Sequence, residues 1–155
     1  MYLSYSSITT YRECSYRYYL QYIKKIPPKP KSFFSFGASL HKALEKFYSP
    51  EIKREKLPSL LELLTHLKEG WISEGYSSPQ EEEKALEESR EILREFYRRH
   101  IIGWGPAFQV EFDFKVRLDE TSIVGKIDRI DKITPYEFEI IDYKSSREFP
   151  PVLGP

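Results

Sequence analysis

The chain has 155 residues, 40% apolar and 31% charged, the balance of a folded globular chain rather than a disordered one. Its 24 Lys and Arg equal its 24 Asp and Glu, which disfavours a nucleic-acid binder working through bulk positive charge but leaves room for an acidic centre with a basic rim. No apolar run reaches the length of a membrane span, the N-terminus lacks a charged-then-apolar leader, and the single cysteine, Cys14, excludes an internal disulfide and a Cys-rich metal site.

These properties predict one cytoplasmic domain with no membrane contact: a helical region over 1–104, a strand region over 105–149 and an irregular tail over 150–155. The charge is uneven, since residues 1–31 hold six Lys and Arg against one Glu. Tyr11, Tyr16, Tyr18, Tyr19 and Tyr22 interleave there with Arg12, Arg17, Lys24 and Lys25. Such a stretch stacks bases and holds phosphates, with Arg12, Arg17, Tyr18 and Lys24 as DNA contacts. It reads equally as an amphipathic helix whose tyrosine rings pack inward.

Ser6 or Ser7 caps a first helix that runs to about Ile23, with a break at Cys14-Ser15. Pro27, Pro28 and Pro30 then forbid helix. Ser35 is expected to cap a second helix through Phe47, with Leu40, Leu44 and Phe47 as its apolar stripe and His41 beside it. A third helix spans Ser59 to Trp71. The fourth starts with Ser78 as cap and Pro79 at its first position, and Glu81, Glu82 and Glu83 suit the positive helix end rather than a metal. His66 and His100 lie on these helices without an acidic partner nearby in sequence, and read as structural or surface residues.

From Phe108 the period becomes two: Phe108, Val110, Phe112, Phe114, Val116 and Leu118 alternate with polar residues. Turns at Asp119-Glu120-Thr121 and Thr134-Pro135 separate this strand from a second over Ser122 to about Ile133 and a third over Glu137 to Lys144. The pattern predicts an α/β fold, with N-terminal helices on a mixed sheet that starts as an antiparallel meander.

Asp128 and Asp142 stand out because a charge in an otherwise apolar strand is costly unless paired or metal-bound. Asp142 and Lys144 are two apart and so share a sheet face. Two carboxylates suit Mg²⁺ or Mn²⁺, with the Tyr143 backbone carbonyl as a further oxygen. At such a centre Lys144 would orient a nucleophilic water or stabilise phosphate oxygens. The bland alternative is an Asp142–Lys144 salt bridge on a hairpin, with Asp128 paired to Arg129 or Lys126.

Context favours the metal. Ser6-Ser7-Ile8-Thr9-Thr10-Tyr11-Arg12-Glu13-Cys14, Phe36-Gly37-Ala38-Ser39-Leu40-His41-Lys42-Ala43-Leu44-Glu45, Val110-Glu111, Gly125-Lys126-Ile127-Asp128-Arg129-Ile130-Asp131 and Ile141-Asp142-Tyr143-Lys144-Ser145-Ser146 occur in this order. Together they resemble the RecB-type branch of the PD-(D/E)XK nuclease superfamily, which includes CRISPR-associated adaptation exonucleases. The resemblance implies a restriction-endonuclease-like core and a metal-dependent deoxyribonuclease, an exonuclease on single-stranded ends. It makes His41 a metal ligand with Asp128, Asp142 and the Tyr143 carbonyl, makes Lys144, Asp142 and Asp128 catalytic, and gives Glu111 a supporting role. For Glu111 a solvent-side strand position is almost as good a reading. Asp131 reads as a solvent-facing partner of Arg129 or Lys132.

Related enzymes often carry an iron–sulfur cluster on one early and three late cysteines. Cys14 matches the early one alone, so this chain by itself cannot hold that cluster. Cys14 is an orphaned cluster ligand or, preferably, a small core residue. The family continues into a further helix where Phe149-Pro150-Pro151 follows here, which predicts a fragment of a longer chain, or completion by a second copy or a partner. The implied partners are DNA, a helicase or another nuclease subunit, and a second copy of the chain. The rival expectation is a non-catalytic DNA-binding or oligomeric scaffold module of the same fold.

Overall fold

The computed structural model describes residues 2–52 and 57–144. In chain order these form strand β1 (Tyr2–Leu3), helices α1 (Tyr5–Glu13) and α2 (Ser15–Tyr18), a π-helical turn (Tyr19–Ile23), helices α3 (Ser32–Tyr48), α4 (Leu60–Gly70) and α5 (Pro79–His100), and strands β2 (Gln109–Leu118), β3 (Thr121–Thr134) and β4 (Glu137–Ile141). The fold is a mixed α/β arrangement of helices and a four-stranded sheet, consistent with a restriction-endonuclease-like core. The tail over 150–155 and Ser145-Ser146 lie outside the described residues.

The meander forms as its periodicity predicts. β3 is central, antiparallel to β2 from Gln109↔Ile130 to Leu118↔Thr121, and antiparallel to β4 from Arg129↔Ile141 to Thr134↔Glu137. What makes the sheet mixed is β1, which pairs parallel to β3 at Tyr2↔Ser122 and Leu3↔Ile123. Two residues are too few to show a period, so this strand left no pattern to read. Gly125 faces Phe114 across the ladder, and a Cβ there would fall 2.6 Å from the Phe114 ring. The aromatic ring thus covers the missing side chain.

The core lies between α3, α4 and α5. Leu40, Ala43, Leu44, Phe47 and Tyr48 of α3 meet Leu63 and Leu67 of α4, Leu93 of α5 and Ala107. Spacings of three and four along α3 place these residues on one stripe. The Tyr48 carbonyl accepts the Ala107 N–H (2.9 Å), tying the end of α3 to the segment that enters β2. Ser59 and Glu62 form a reciprocal capping box on α4, and Ser78 caps α5 ahead of Pro79 as its sequence signal predicts. Among the described residues no helix is long and apolar enough to cross a membrane.

Two expected caps are displaced. Ser4 rather than Ser6 or Ser7 caps α1, because Ser7 stands at the third helical position and completes a capping box with Ser4. Ser35 lies inside α3, not at its start: its hydroxyl donates to the Glu74 carbonyl (2.7 Å) in the loop after α4, and α3 begins at Ser32. That loop approaches so closely that a Cβ on Gly75, whose φ is +87°, would meet the Lys31 backbone at 2.6 Å. Cys14 is exposed rather than in the core. Its Sγ accepts the Arg17 N–H (3.4 Å) and caps α2.

Ser39 is fully buried; its hydroxyl donates to the Ser35 carbonyl (2.8 Å) and accepts the Ile72 N–H (3.0 Å). Ser39→Ala leaves Ile72 without that acceptor. The expected loss is about 1–3 kcal/mol of unfolding free energy, read from the denaturant midpoint at unchanged slope.

Candidate metal centre

His41 sits mid-way along α3, half-buried, where the helix faces the junction of β3 and the segment after β4. Its Nε2–H donates to the Tyr143 carbonyl (3.0 Å), and its Nδ1 lies 3.4 Å from Asp128 Oδ1. The other Asp128 oxygen, Oδ2, accepts the Tyr143 N–H (2.7 Å). One carboxylate and one imidazole therefore take up both backbone polar groups of Tyr143. This explains a difference from the expected third strand, which ends at Ile141 rather than Lys144: the backbone of Tyr143 bonds to side chains and not to a ladder.

Glu111 completes the group. The pairs Val110↔Arg129 and Phe112↔Ile127 place Glu111 directly opposite Asp128, on neighbouring strands. Its φ of 49° lies in the left-handed region, a strain of about 1–3 kcal/mol for a residue with a side chain. One ligand atom each from His41, Glu111 and Asp128 lies within 4.8 Å of the others. Lys126 Nζ stands 3.2 Å from Glu111 Oε2 and 4.0 Å from Asp113 Oδ1, and its ammonium pKa is raised chiefly by the Glu111 hydrogen bond and charge. Asp128 thus has neither of the partners offered by a plain hairpin. Lys126 serves Glu111 and Asp113, and Arg129 serves Asp131.

The donor set fits a divalent cation. Both His41 nitrogens face oxygens, yet a neutral imidazole has one N–H for the two. The contact of Nδ1 with the Asp128 carboxylate, with the Glu111 carboxylate beside it, is an electron-rich cluster that a cation completes. A cleft of about 720 Å³ opens onto these groups, with Phe33, Phe34, Lys42 and Lys126 on its walls.

Asp142 and Lys144 stand just beyond β4, exposed and ion-paired to each other. They are side by side as expected, but outside the strand, and Asp142 is not in the group of donors around Asp128. They border a second, apolar cavity that His41, Phe96 and His100 also line. The Tyr143 ring packs edge-on against His41 (5.9 Å) and Phe96 (6.1 Å), and burial pushes its phenol up to about 12 despite the opposing Arg129 guanidinium. Arg129 lies 3.5 Å over the Tyr48 ring and is held in a two-point pair by Asp131. That pair is mostly covered, at 12% and 19% side-chain exposure, and not solvent-facing as expected. His66 has an acidic neighbour after all, with Nδ1 3.9 Å from Glu69, whereas His100 lies against the Phe96 ring (4.5 Å).

The tyrosines near the N-terminus do not pack inward. Tyr11 and Tyr16 are exposed, and Tyr18 stacks on Tyr22 (5.1 Å) and meets Tyr11 edge-on (5.3 Å). Arg12 is exposed, Arg17 pairs with Glu13, and Lys24 lies 5.6 Å from the Tyr19 ring. Sequence reasoning missed Phe33, Phe34, Lys42 and Lys126 as walls of the cleft, and missed the strain at Glu111. The one available signal was the position of Phe34 seven residues before His41, on the same helical face.

A helix-borne histidine, two facing strand carboxylates and an Asp-x-Lys pair after the next strand thus stand along one side of the fold. The sequence matches the PD-(D/E)XK nuclease superfamily over residues 2–152, and the chain belongs to that superfamily. Among curated proteins it is similar to one of the subunits of the ATP-dependent helicase/deoxyribonuclease of Streptococcus agalactiae, in serotypes Ia, V and III. Each of these relatives is 30% identical over 156 aligned positions that take in 94% of this chain. The chain spans 14% of their length. No solved structure matches it.

Glu111→Gln keeps the shape of the cluster and removes one charge. It is expected to weaken Mn²⁺ binding about 10–100-fold by calorimetry, with folding intact by circular dichroism.

Proposed function

We propose that the chain hydrolyses DNA phosphodiester bonds with a divalent cation held by His41, Asp128 and Glu111, while the Tyr143 carbonyl fixes the imidazole by accepting its far N–H. The convergence of the His41, Glu111 and Asp128 ligand atoms within 4.8 Å carries this reading. A cation bound there supplies an activated water and charge neutralisation at the phosphate. The imidazole favours Mn²⁺ over Mg²⁺, which prefers an all-oxygen shell and dehydrates reluctantly. Asp142 serves as a further carboxylate at the rim. Lys144 is the group that meets the phosphate oxygens: its ammonium is exposed, and an incoming phosphate competes with Asp142 for it. Substrate ends are held by Arg12, Arg17, Tyr18 and Lys24, and the reaction is exonucleolytic on single strands. By analogy with its relatives, the chain works with helicase machinery.

One observation favours the rival reading of a binding module without catalysis. Asp142 and Lys144 satisfy each other outside the donor cluster.

Labelled linear and circular DNA, single- and double-stranded, incubated with Mn²⁺ or Mg²⁺ separates the two. Linear single strands are expected to shorten from an end, faster with Mn²⁺. Asp128→Ala is expected to abolish cleavage, and Lys144→Ala to slow it about 10²–10³-fold. Cleavage at the wild-type rate in Asp142→Ala or in Lys144→Ala contradicts the assignment. Mn²⁺ binding without any cleavage supports the binding module.

A further inference from the structure

Phe33 and Phe34 occupy the first turn of α3 and are 59% and 62% exposed, their rings 4.1 Å apart. Two adjacent exposed phenylalanines on a helix that buries five other side chains in the core call for a partner. Phe34, Gly37, Ala38 and His41 recur at three- and four-residue steps and therefore share one face of α3. An aromatic ring stands at one end of that face and a donor of the metal cluster at the other. The span is two helical turns, about 10 Å. Between them Gly37 and Ala38 are too small to fill the cleft.

Phe34 also lines a second groove, of about 560 Å³, on its other side, with Arg17, Tyr22, Lys29 and Lys31. The ring thus stands where the cleft of the metal cluster meets a groove lined by Tyr5 and Tyr22, by Lys29 and Lys31, and by the Arg17–Glu13 pair. Lys42 and Lys126 line the cleft side, and Lys31 Nζ lies 5.6 Å from the Phe33 ring. Alternating cations and aromatic faces suit a polyanion whose bases are free to stack. A duplex keeps its base faces paired and stacked and has none to offer this ring.

We infer that Phe34, with Phe33 beside it, is a stacking platform for an unpaired base of a DNA strand whose neighbouring phosphate lies at the His41 cluster. This rests on the nuclease reading and deepens it: selection of single-stranded ends resides in a positioning residue of α3. Phe34 touches a base, not the reacting atoms, and its contribution is to binding and register.

The test measures fluorescence anisotropy of the whole chain with labelled oligothymidylate, the same oligonucleotide carrying abasic sites, and a duplex, all with Ca²⁺ in place of Mn²⁺ and with gel electrophoresis to confirm that the strands stay intact. Phe34→Ala is expected to weaken binding of the intact single strand about 5- to 150-fold. Phe34→Trp restores it, wild type shows a similar loss with the abasic strand, and duplex binding is unchanged. Thermal unfolding and Mn²⁺ affinity of Phe34→Ala remain those of wild type. Unaltered single-strand affinity in Phe34→Ala overturns the inference, and so does an equal loss for single strand and duplex. Failure of the nuclease reading shows separately, as wild type that neither takes up Mn²⁺ nor cleaves DNA while the stacking effect persists.

Discussion

The Asp128 carboxylate is the joint on which the site depends. One oxygen accepts the Tyr143 N–H and the other faces His41, whose far nitrogen donates to the Tyr143 carbonyl. Helix α3, strand β3 and the segment after β4 are closed into a ring of contacts by that carboxylate and imidazole. The ring ends β4 at Ile141, turns the Tyr143 side chain inward against Phe96, and leaves Asp142 and Lys144 projecting on either side of Tyr143. Without Asp128 the peptide group of Tyr143 loses an acceptor, and the natural continuation is a longer β4.

The same joint concentrates negative charge. Strand register brings Glu111 opposite Asp128, and the positive φ of Glu111 is a local strain that an ordinary strand has no reason to keep. Like charges on facing strand positions are destabilising, and Lys126 offsets part of this from the Glu111 side. On the Asp128 side no lysine or arginine ion pair occurs among the described residues. Repulsion and backbone strain gathered at one point are what the proposed cation would relieve. The apolar core of α3, α4 and α5 lies next to the cluster and supplies the rigidity that holds such an arrangement.

How far the sequence could be read follows from the range of each interaction. The cap at Ser78, the stripe of α3 and the alternation of β2 are local signals, and they lead to the observed elements. The β1–β3 pairing, the reach of Ser35 to Glu74 and the covering of Arg129 by the Tyr48 ring depend on contacts distant in sequence, and no local pattern announces them. At the site, His41, Asp128 and Tyr143 were legible through the order of the motifs. Glu111 was legible in part: the motif order gives it a supporting role, alternation alone makes it a solvent-side residue, and its place opposite Asp128 comes from register. Asp142 was read as a strand residue beside Asp128. The backbone of Tyr143, used by side chains, is what takes it out of the strand. The tyrosines of residues 11–22 show the limit most plainly, since their spacing suits an inward-packed helix as well as an exposed stacking surface, and only the structure puts the rings at the surface, stacked on one another.

In the proposed function His41 and Asp128 are ligands of one cation and not merely partners of each other. Electron spin echo spectroscopy of Mn²⁺ bound to the chain reads this directly through the imidazole nitrogen. The account predicts nitrogen modulation from a directly coordinated histidine, lost in His41→Ala and accompanied by a loss of Mn²⁺ affinity in Asp128→Asn. Mn²⁺ that binds with no nitrogen coupling, or with the same coupling in His41→Ala, would contradict it.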